Sequence, residues 1–227
     1  MPPTTNYELE SPLSQASTTH DALNDQSSTT GVISNGTLTI RIFDILVSSI
    51  GLILAAPIFI FIAILIKLEG DGPVFFVQER LGLFKNGFNI YKFRTMSTDA
   101  EKDGPQWCKE KDNRITIVGA FLRNSRLDEL PQLWNVLKGD LSLVGPRPIR
   151  AHFANILQEN DARYDQRFQV KPGLTGWAQV YAPYGSTVEE QMEKLPYDLK
   201  YLKKFTTFDY FLVLFMTVKV VISGKGI

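Results

Sequence analysis

Two adjacent carboxylates, Asp128 and Glu129, are the residues of this 227-residue sequence whose type and setting best suit chemistry. Apolar residues recur around them at helical spacing, and Ser125 could cap a helix that begins near Leu127. Free N–H groups in the first turn of such a helix favour ionised carboxylates and attract phosphate. A carboxylate there could attack a phosphoryl group if a cation screens the repulsion. Acids are also ordinary at helix N-termini, so the pair alone does not establish catalysis.

Basic residues on both sides of the carboxylate pair indicate that an anion binds nearby. They occur in KFRTM (92–96), where they alternate with an aromatic residue, and in VGPRP (144–148), where an arginine lies between two prolines. Guanidinium groups match the oxygen geometry of phosphates, so the set predicts a diphosphate substrate, although each residue alone could be a solvated surface charge. The basic residues are Lys92, Arg94, Arg123, Arg126, Arg147, Arg150, Arg167 and Lys171.

The composition excludes several other functions. Lysine plus arginine and aspartate plus glutamate both number 24, so no basic excess indicates binding to nucleic acid. One cysteine and two histidines cannot build a His-rich zinc site, and any metal would be held by oxygen ligands, as magnesium is. The sequence contains no Walker loop, GxGxxG or GxSxG motif.

An uncharged segment upstream of these residues indicates contact with a membrane. Residues 45–66 are 22 consecutive residues without a charge, which is long enough to cross the hydrocarbon region of a bilayer. A buried core helix is the less favoured alternative, because such helices rarely lack polar residues on every face. Pro57 lacks an N–H and favours a kink, so the segment either spans the bilayer or enters, bends and returns.

Three regions follow from this pattern. Residues 1–38 are poor in large apolar residues and predict a disordered tail. Residues 39–68 predict the membrane helix, and residues 69–227 predict a catalytic domain on the cytoplasmic side, since basic residues favour that side.

Local signals predict the main elements of this domain. Two strand-like runs joined through Lys85, Asn86 and Gly87 predict a hairpin, because asparagine and glycine both tolerate positive φ. Residues 115–138 predict a helix that Gly139 ends, and residues 171–177 predict a tight turn. Residues 197–222 predict an amphipathic helix on the bilayer surface, with a core helix as the alternative.

Three motifs resemble those of the bacterial sugar transferases, also called monotopic phosphoglycosyl transferases. They are KFRTM (92–96), LDELPQLWNVLKGDLSLVGPRP (127–148) and KPGLTGWAQV (171–180). The resemblance extends from about Ile40 to Ile227. It implies a compact α/β fold with a small β-hairpin, interfacial helices and a re-entrant membrane helix broken at Pro57. Both ends of that helix would face the cytoplasm at the bacterial inner membrane.

The resemblance also implies a reaction in two steps. Asp128 would attack the β-phosphate of a UDP-sugar, form a covalent phosphosugar intermediate and release UMP. Polyprenyl phosphate, usually undecaprenyl phosphate, would then accept the sugar-1-phosphate. Glu129 would bind Mg²⁺ together with Asp128 or activate the acceptor. The basic residues that match the family motifs are Lys92, Arg94, Arg123 and Arg147.

One departure from the family pattern concerns phosphate binding. Many members follow GWAQV with an Asn-Gly-Arg stretch whose arginine contacts substrate phosphate, whereas this chain has YAPYG (181–185), which looks like an exopolysaccharide-assembly branch. Arg167 or Lys171 is expected to supply the missing charge. The chain is expected to be a short form without the four additional transmembrane helices of larger relatives.

Two rival functions stay open at this point. One is a catalytically silent membrane scaffold for polysaccharide assembly, and the other is a single-pass membrane-anchored module that binds nucleotide. The intact carboxylate pair and PRP motif favour the transferase over both. The sequence leaves open which sugar is transferred and whether the chain forms a homo-oligomer.

Overall fold

The computed structural model describes residues 33–102, 104–108, 112–182, 185–203 and 205–223. Most of the predicted tail, residues 1–32, lies outside the described residues. The chain divides into Met1–Thr39 and Ile40–Ile227, and the elements that matter for function lie in the second unit.

The described residues form a mixed helix and sheet fold, which confirms the predicted α/β class. The strands are β1 (Phe75–Leu81), β2 (Gly87–Phe93), β3 (Ser142–Val144) and β4 (Gly173–Thr175). The helices are α1 (Ile33–Glu69), α2 (Ile117–Asn124), α3 (Gln132–Lys138), α4 (Ala151–Asn160), α5 (Trp177–Tyr181), α6 (Val188–Met192), α7 (Leu195–Asp198), α8 (Lys200–Lys203) and α9 (Thr207–Ser223). Short 3₁₀ helices cover Leu83–Lys85, Leu127–Glu129 and Ala162–Gln169.

Helix α1 buries one narrow stripe of its surface and exposes apolar side chains over the rest. The buried residues recur four or seven positions apart, as one face of a helix requires; they are Asp44, Ser48, Ala55, Ile62 and Ile66. Within the described part of the chain, the segment Leu38–Glu69 is long and apolar enough to cross a membrane. Helix α1 runs through Pro57 as one element, and the predicted re-entry at this proline stays a prediction.

Two charged side chains near the start of α1 bind the rest of the domain. Arg41 donates to the carbonyl oxygens of Val136 and Leu137, at 2.6 and 2.7 Å. These carbonyls lie in the last turn of α3, where helical partners are missing. Asp44 Oδ1 accepts from the backbone N–H of Leu143 at 2.9 Å and from the hydroxyl of Tyr210 at 2.5 Å. Arg41 and Asp44 therefore attach the start of α1 to α3, β3 and α9.

The predicted hairpin is confirmed, but its turn differs from the prediction. Strands β1 and β2 pair in antiparallel fashion from Phe75 opposite Phe93 to Leu81 opposite Gly87. The N–H of Gly82 also donates to the carbonyl of Asn86 at 2.8 Å, which extends the ladder. Chain reversal therefore falls on residues 83–85, and Asn86 stays extended at φ −63°. Asn86 and Gly87 tolerate positive φ, but Phe84 and Lys85 are the turn residues that adopt it.

The helix predicted over residues 115–138 is divided into α2 and α3. Arg126 adopts the left-handed conformation at φ 60°, which ends helical propagation. Pro131 also lacks the N–H that a continuous helix would donate to the carbonyl of Leu127, four residues earlier. Ser125 ends α2 and donates its hydroxyl to the carbonyl of Phe121 at 2.8 Å, so the predicted N-cap role was wrong. The predicted stop at Gly139 is confirmed, with φ 97°.

Strand pairing between β3 and β4 was not anticipated, because residues 171–177 were predicted as a turn alone. The two strands pair in parallel, with Ser142 opposite Gly173 and Val144 opposite Thr175. A Cβ atom on Gly173 would lie 2.0 Å from the backbone N of Gly145, so only glycine permits this approach. The pairing holds the chain just before the PRP motif against the core that Val136, Leu141 and Val213 help to form.

The C-terminal helix presents apolar side chains on two faces. It begins at a cap in which the N–H and hydroxyl of Thr206 donate to Asp209 Oδ2. Tyr210 and Val213 are fully buried. The exposed stripe consists of Phe208, Phe211, Phe215, Val218 and Val221. The region predicted as one helix over 197–222 thus contains parts of α7, α8 and α9, and its outer surface is apolar, as contact with a bilayer requires.

Candidate active site

The carboxylate pair lies on the 3₁₀ helix between α2 and α3, and the two side chains differ in their contacts. Glu129 Oε1 accepts a hydrogen bond from Lys92 Nζ at 2.8 Å and forms an ion pair with Arg147 Nη2. Asp128 is 7% exposed, and its Oδ2 lies 4.0 Å from Lys92 Nζ. Glu129 therefore has two cationic partners, whereas Asp128 shares one of them at longer range.

These contacts push the pKa values of the two carboxyl groups in opposite directions. Burial raises the pKa of Asp128 above 3.8, and the charge of Glu129 adds to that rise, while Lys92 and Arg147 oppose it. Burial also acts to raise the pKa of Glu129, but Arg147 and Lys92 outweigh it and hold that pKa well below 4.5. Opposed shifts in neighbouring acids indicate different chemical roles. Lys92 and Arg147 thus favour the ionised form of Glu129, whereas the contact of Asp128 with Lys92 is longer, at 4.0 Å.

Two separate elements deliver the cations that hold Glu129. Lys92 extends from β2, whose register the hairpin sets. Burial lowers the pKa of Lys92, and Glu129 opposes this shift. Arg147 comes from the turn after β3, between two prolines that restrict its backbone. The structure thus brings together Asp128, Glu129, Lys92 and Arg147 from three segments of the chain.

Arg123 reaches the same neighbourhood from α2. Its Nε donates to Thr95 Oγ1 at 2.9 Å, and its Nη1 lies 2.8 Å from Cys108 Sγ. Its positive charge acts to lower the pKa of Asp128. A Cβ on Gly119 would lie 2.1 Å from the carbonyl oxygen of Thr95, so this glycine lets α2 approach the end of the KFRTM motif. The contacts of Arg123 with Thr95 and Cys108 had no signal in the sequence.

Arg94 and Lys171 point elsewhere. Arg94 donates to the carbonyls of Asp71 and Gly70 at 2.6 and 2.9 Å, and so binds the chain that follows α1. Lys171 lies near the charges of Arg41, Asp44 and Asp140, and burial followed by Arg41 lowers its pKa. Phosphate binding by either residue stays a prediction.

Arg167 was expected to supply the charge missing after GWAQV, and the structure uses its guanidinium differently. Its Nε donates to Asp198 Oδ2 at 2.9 Å, and both side chains are 5% exposed. Its Nη2 donates to the backbone carbonyl of Arg147 at 2.7 Å. Arg167 also stacks on the rings of Tyr164 and Phe168. Arg167 therefore binds the backbone of the PRP turn, and Asp198 balances its charge.

The carboxylates fit a magnesium site only in part. No group of three or more His, Cys, Asp and Glu side chains converges within the part of the chain that the structure describes. Magnesium is usually bound through one or two carboxylates together with substrate phosphates and water. Asp128 suits such a role, whereas the oxygens of Glu129 are engaged by Lys92 and Arg147. The basic residues beside the carboxylates and the long apolar helix suit a class of proteins that bind phosphate groups at a membrane.

Comparison with known proteins agrees with that class. The family model described as bacterial sugar transferase matches residues 36–224. The chain is 41% identical over 186 residues to a UDP-N-acetylgalactosamine-undecaprenyl-phosphate N-acetylgalactosaminephosphotransferase of Aeromonas hydrophila, covering 82% of this chain and 44% of that protein. It is 38% identical over 186 residues to an undecaprenyl-phosphate glucose phosphotransferase of Komagataeibacter xylinus, covering 79% of this chain and 35% of that protein. It is 38% identical over 187 residues to the uncharacterized sugar transferase EpsL of Bacillus subtilis (strain 168), covering 82% and 89%.

The chain belongs to the bacterial sugar transferase family. It spans less than half the length of the Aeromonas and Komagataeibacter relatives. The matched region contains all of the site residues described above.

Proposed function

We propose that this chain transfers a sugar-1-phosphate from a UDP-sugar to a polyprenyl phosphate, which the relatives' names suggest is undecaprenyl phosphate. The observation that carries this proposal is the buried carboxyl of Asp128, with a raised pKa, beside a Glu129 that Lys92 and Arg147 neutralise. The two relatives differ in the sugar that their names give, so they support the reaction type and the acceptor without selecting a donor.

In the first half-reaction, a carboxylate oxygen of Asp128 attacks the β-phosphorus of the donor. The bond from that phosphorus to the oxygen bridging it to the α-phosphorus breaks, and UMP leaves with the electron pair. Asp128 then carries the sugar phosphate as an acyl phosphate. A raised pKa makes the ionised carboxylate a stronger nucleophile, and the nearby cations reduce its repulsion by the diphosphate. Mg²⁺ held by Asp128 and the substrate would supply further charge neutralisation.

In the second half-reaction, a phosphate oxygen of the lipid attacks the phosphorus of the intermediate. The bond to Asp128 breaks, the carboxylate is regenerated, and the product is a polyprenyl-diphosphate-sugar. Glu129 keeps Lys92 and Arg147 beside the reacting phosphorus through both steps, since each of its contacts is an ion pair.

A membrane location follows from the need for a lipid acceptor. The exposed apolar residues of α1 and of α9 would contact the bilayer, and the catalytic domain would lie on the cytoplasmic face of the inner membrane. Re-entry at Pro57 would keep both ends of α1 on that face. In a Cys108→Ser background, Thr37→Cys and Gly70→Cys would then both be labelled only after the cytoplasmic side is opened. Position 70 has open space for a side chain. Labelling of the two positions from opposite sides would establish a spanning helix instead.

The reaction is tested by UMP release from purified protein with magnesium, undecaprenyl phosphate and a panel of UDP-sugars. We expect release with at least one donor, and the panel identifies the sugar. Absence of release with every donor would favour a catalytically silent scaffold over a transferase.

A further inference from the structure

An isolated β-bridge places two arginines opposite each other beside the PRP turn. The N–H of Leu81, at the end of β1, donates to the carbonyl of Ile149 at 2.8 Å, and the two residues form an antiparallel bridge. In an antiparallel pair the preceding residue on one strand faces the following residue on the other, so Arg80 lies opposite Arg150. Like charges at such positions repel, and the repulsion is relieved by a bound anion.

The carboxylates near this pair already have cationic partners. Glu101 Oε1 lies 2.8 Å from Arg150 Nη1, and Glu129 is bound by Lys92 and Arg147. Arg80 donates through Nη2 to Gln78 Oε1 at 2.6 Å, which is a neutral acceptor. Arg80 therefore adds a positive charge that no carboxylate contact balances within the described residues.

One N–H of Arg80 is enclosed without an acceptor. Its Nε is buried and has no hydrogen-bond partner within the ranges that the structure describes. A buried, unsatisfied N–H of a charged group is costly, so such a group normally has a partner in the working state of a protein. Burial, then the charges of Arg147 and Arg150, lower the pKa of Arg80 to about 10. The charges of Arg147 and Arg150 thus act on Arg80 against those of Glu101 and Glu129, and its Nε has no acceptor among the described residues.

We propose that Arg80 and Arg150 extend the site beyond Arg147 as an oxyanion-binding surface that holds a phosphate group of a substrate. This inference rests on the proposed transferase function for the identity of the substrates. The phosphate comes either from the diphosphate of the soluble donor or from the head of the lipid acceptor. Both offer the same oxygen geometry to a guanidinium group.

The test compares Arg80→Gln with Arg163→Gln in the full-length protein. Arg163 is a matched control because it is exposed and pairs with Asp161 through its own fork. UDP and inorganic pyrophosphate are titrated into each variant by calorimetry, and KM is measured separately for the UDP-sugar and for undecaprenyl phosphate. Loss of a charged hydrogen bond predicts a roughly ten- to hundredfold weaker binding of the phosphate-bearing substrate. The control variant is expected to match the wild type.

The arms of the experiment separate the sources of the phosphate. Weaker UDP binding and a higher KM for the UDP-sugar would support the oxyanion-binding surface and assign it to the donor. A higher KM for undecaprenyl phosphate alone would support the surface and assign it to the lipid. If Arg80→Gln unfolds, Arg80→Lys is measured in its place. Because lysine keeps the positive charge, this variant is expected to retain part of the wild-type affinity for the phosphate-bearing substrate. Wild-type values for all ligands in Arg80→Gln would overturn the inference. Absence of UMP release by the wild type would overturn the transferase instead, while pyrophosphate binding would still test the surface.

Discussion

Replacing Arg167 by methionine should lower both the stability of the fold and the rate of the reaction, for two separable reasons. Arg167 and Asp198 form an ion pair in which both side chains are 5% exposed. Removing one partner of a buried pair costs about 3–5 kcal/mol, because the remaining charge is left without compensation. For a chain of this size, that corresponds to a fall in Tm on the order of 10 °C. Separately, the carbonyl of Arg147 loses the donor that lies 2.7 Å away.

A double substitution distinguishes these two effects. Arg167→Met with Asp198→Leu removes both charges, and apolar side chains of similar volume often match or exceed the stability of a buried pair. Methionine can also pack against the rings of Tyr164 and Phe168, which now contact the guanidinium. We therefore expect the double variant to regain most of the lost Tm without regaining the rate of UMP release, because the carbonyl of Arg147 still lacks its donor.

Thermal unfolding in detergent and initial rates of UMP release measure the two quantities on the same preparations. Arg163→Met serves as the control, since its ion pair with Asp161 is exposed and exposed pairs contribute little. A second cycle adds Arg147→Ala. If Arg167 acts through Arg147, Arg167→Met has little further effect on the rate in that background. Full recovery of the rate in the double variant, or additive losses with Arg147→Ala, would refute the positioning role.

Three further predictions follow from the site and from its support. The rate of UMP release should fall with decreasing pH at a midpoint above 3.8, because burial raises the pKa of Asp128 and only its ionised form attacks. Lys92→Gln should move this midpoint to higher pH, because the charge of Lys92 opposes the rise in that pKa. A pH–rate profile of each protein checks both expectations. Tyr210→Phe should lower the free energy of unfolding by about 1–3 kcal/mol, because Asp44 loses one hydrogen-bond donor. The measurement is a lower Tm, with Tyr181→Phe at an exposed ring as the control. Chelation of divalent cations should abolish UMP release, because Mg²⁺ is proposed to neutralise charge on the substrate. It should leave Tm nearly unchanged, because Asp128 and Glu129 have cationic partners within the protein.

Local chemistry explains which elements could be predicted from the sequence. The hairpin and the end of α3 at Gly139 depend on nearest neighbours, and both are confirmed. The turn of the hairpin was misplaced because one further backbone pair, Gly82 with Asn86, displaces the reversal. The break between α2 and α3 depends on the left-handed backbone conformation of Arg126, which the residue type arginine does not indicate.

Long-range pairing explains what could not be predicted. By residue type, Arg94 and Arg167 are equally plausible phosphate ligands. In the structure, Arg94 binds the chain after α1, and Arg167 pairs with Asp198, 31 residues away. Parallel pairing of β3 with β4 has no local signal either. Conversely, Arg80 stands out only when the bridge at Leu81 places it opposite Arg150. The motifs could identify the carboxylates, but three-dimensional contacts were needed to tell a phosphate ligand from a structural cation.

The proposed function requires that Asp128 carry the sugar phosphate between the two half-reactions. It is tested most directly by mass spectrometry of the protein after incubation with magnesium and a productive UDP-sugar in the absence of acceptor. We expect UMP release together with an added mass of one sugar phosphate on a peptide that contains Asp128. The added mass should disappear when undecaprenyl phosphate is added, and Asp128→Asn should give neither adduct nor UMP. An adduct on another residue, or UMP release by Asp128→Asn at the wild-type rate, would contradict it.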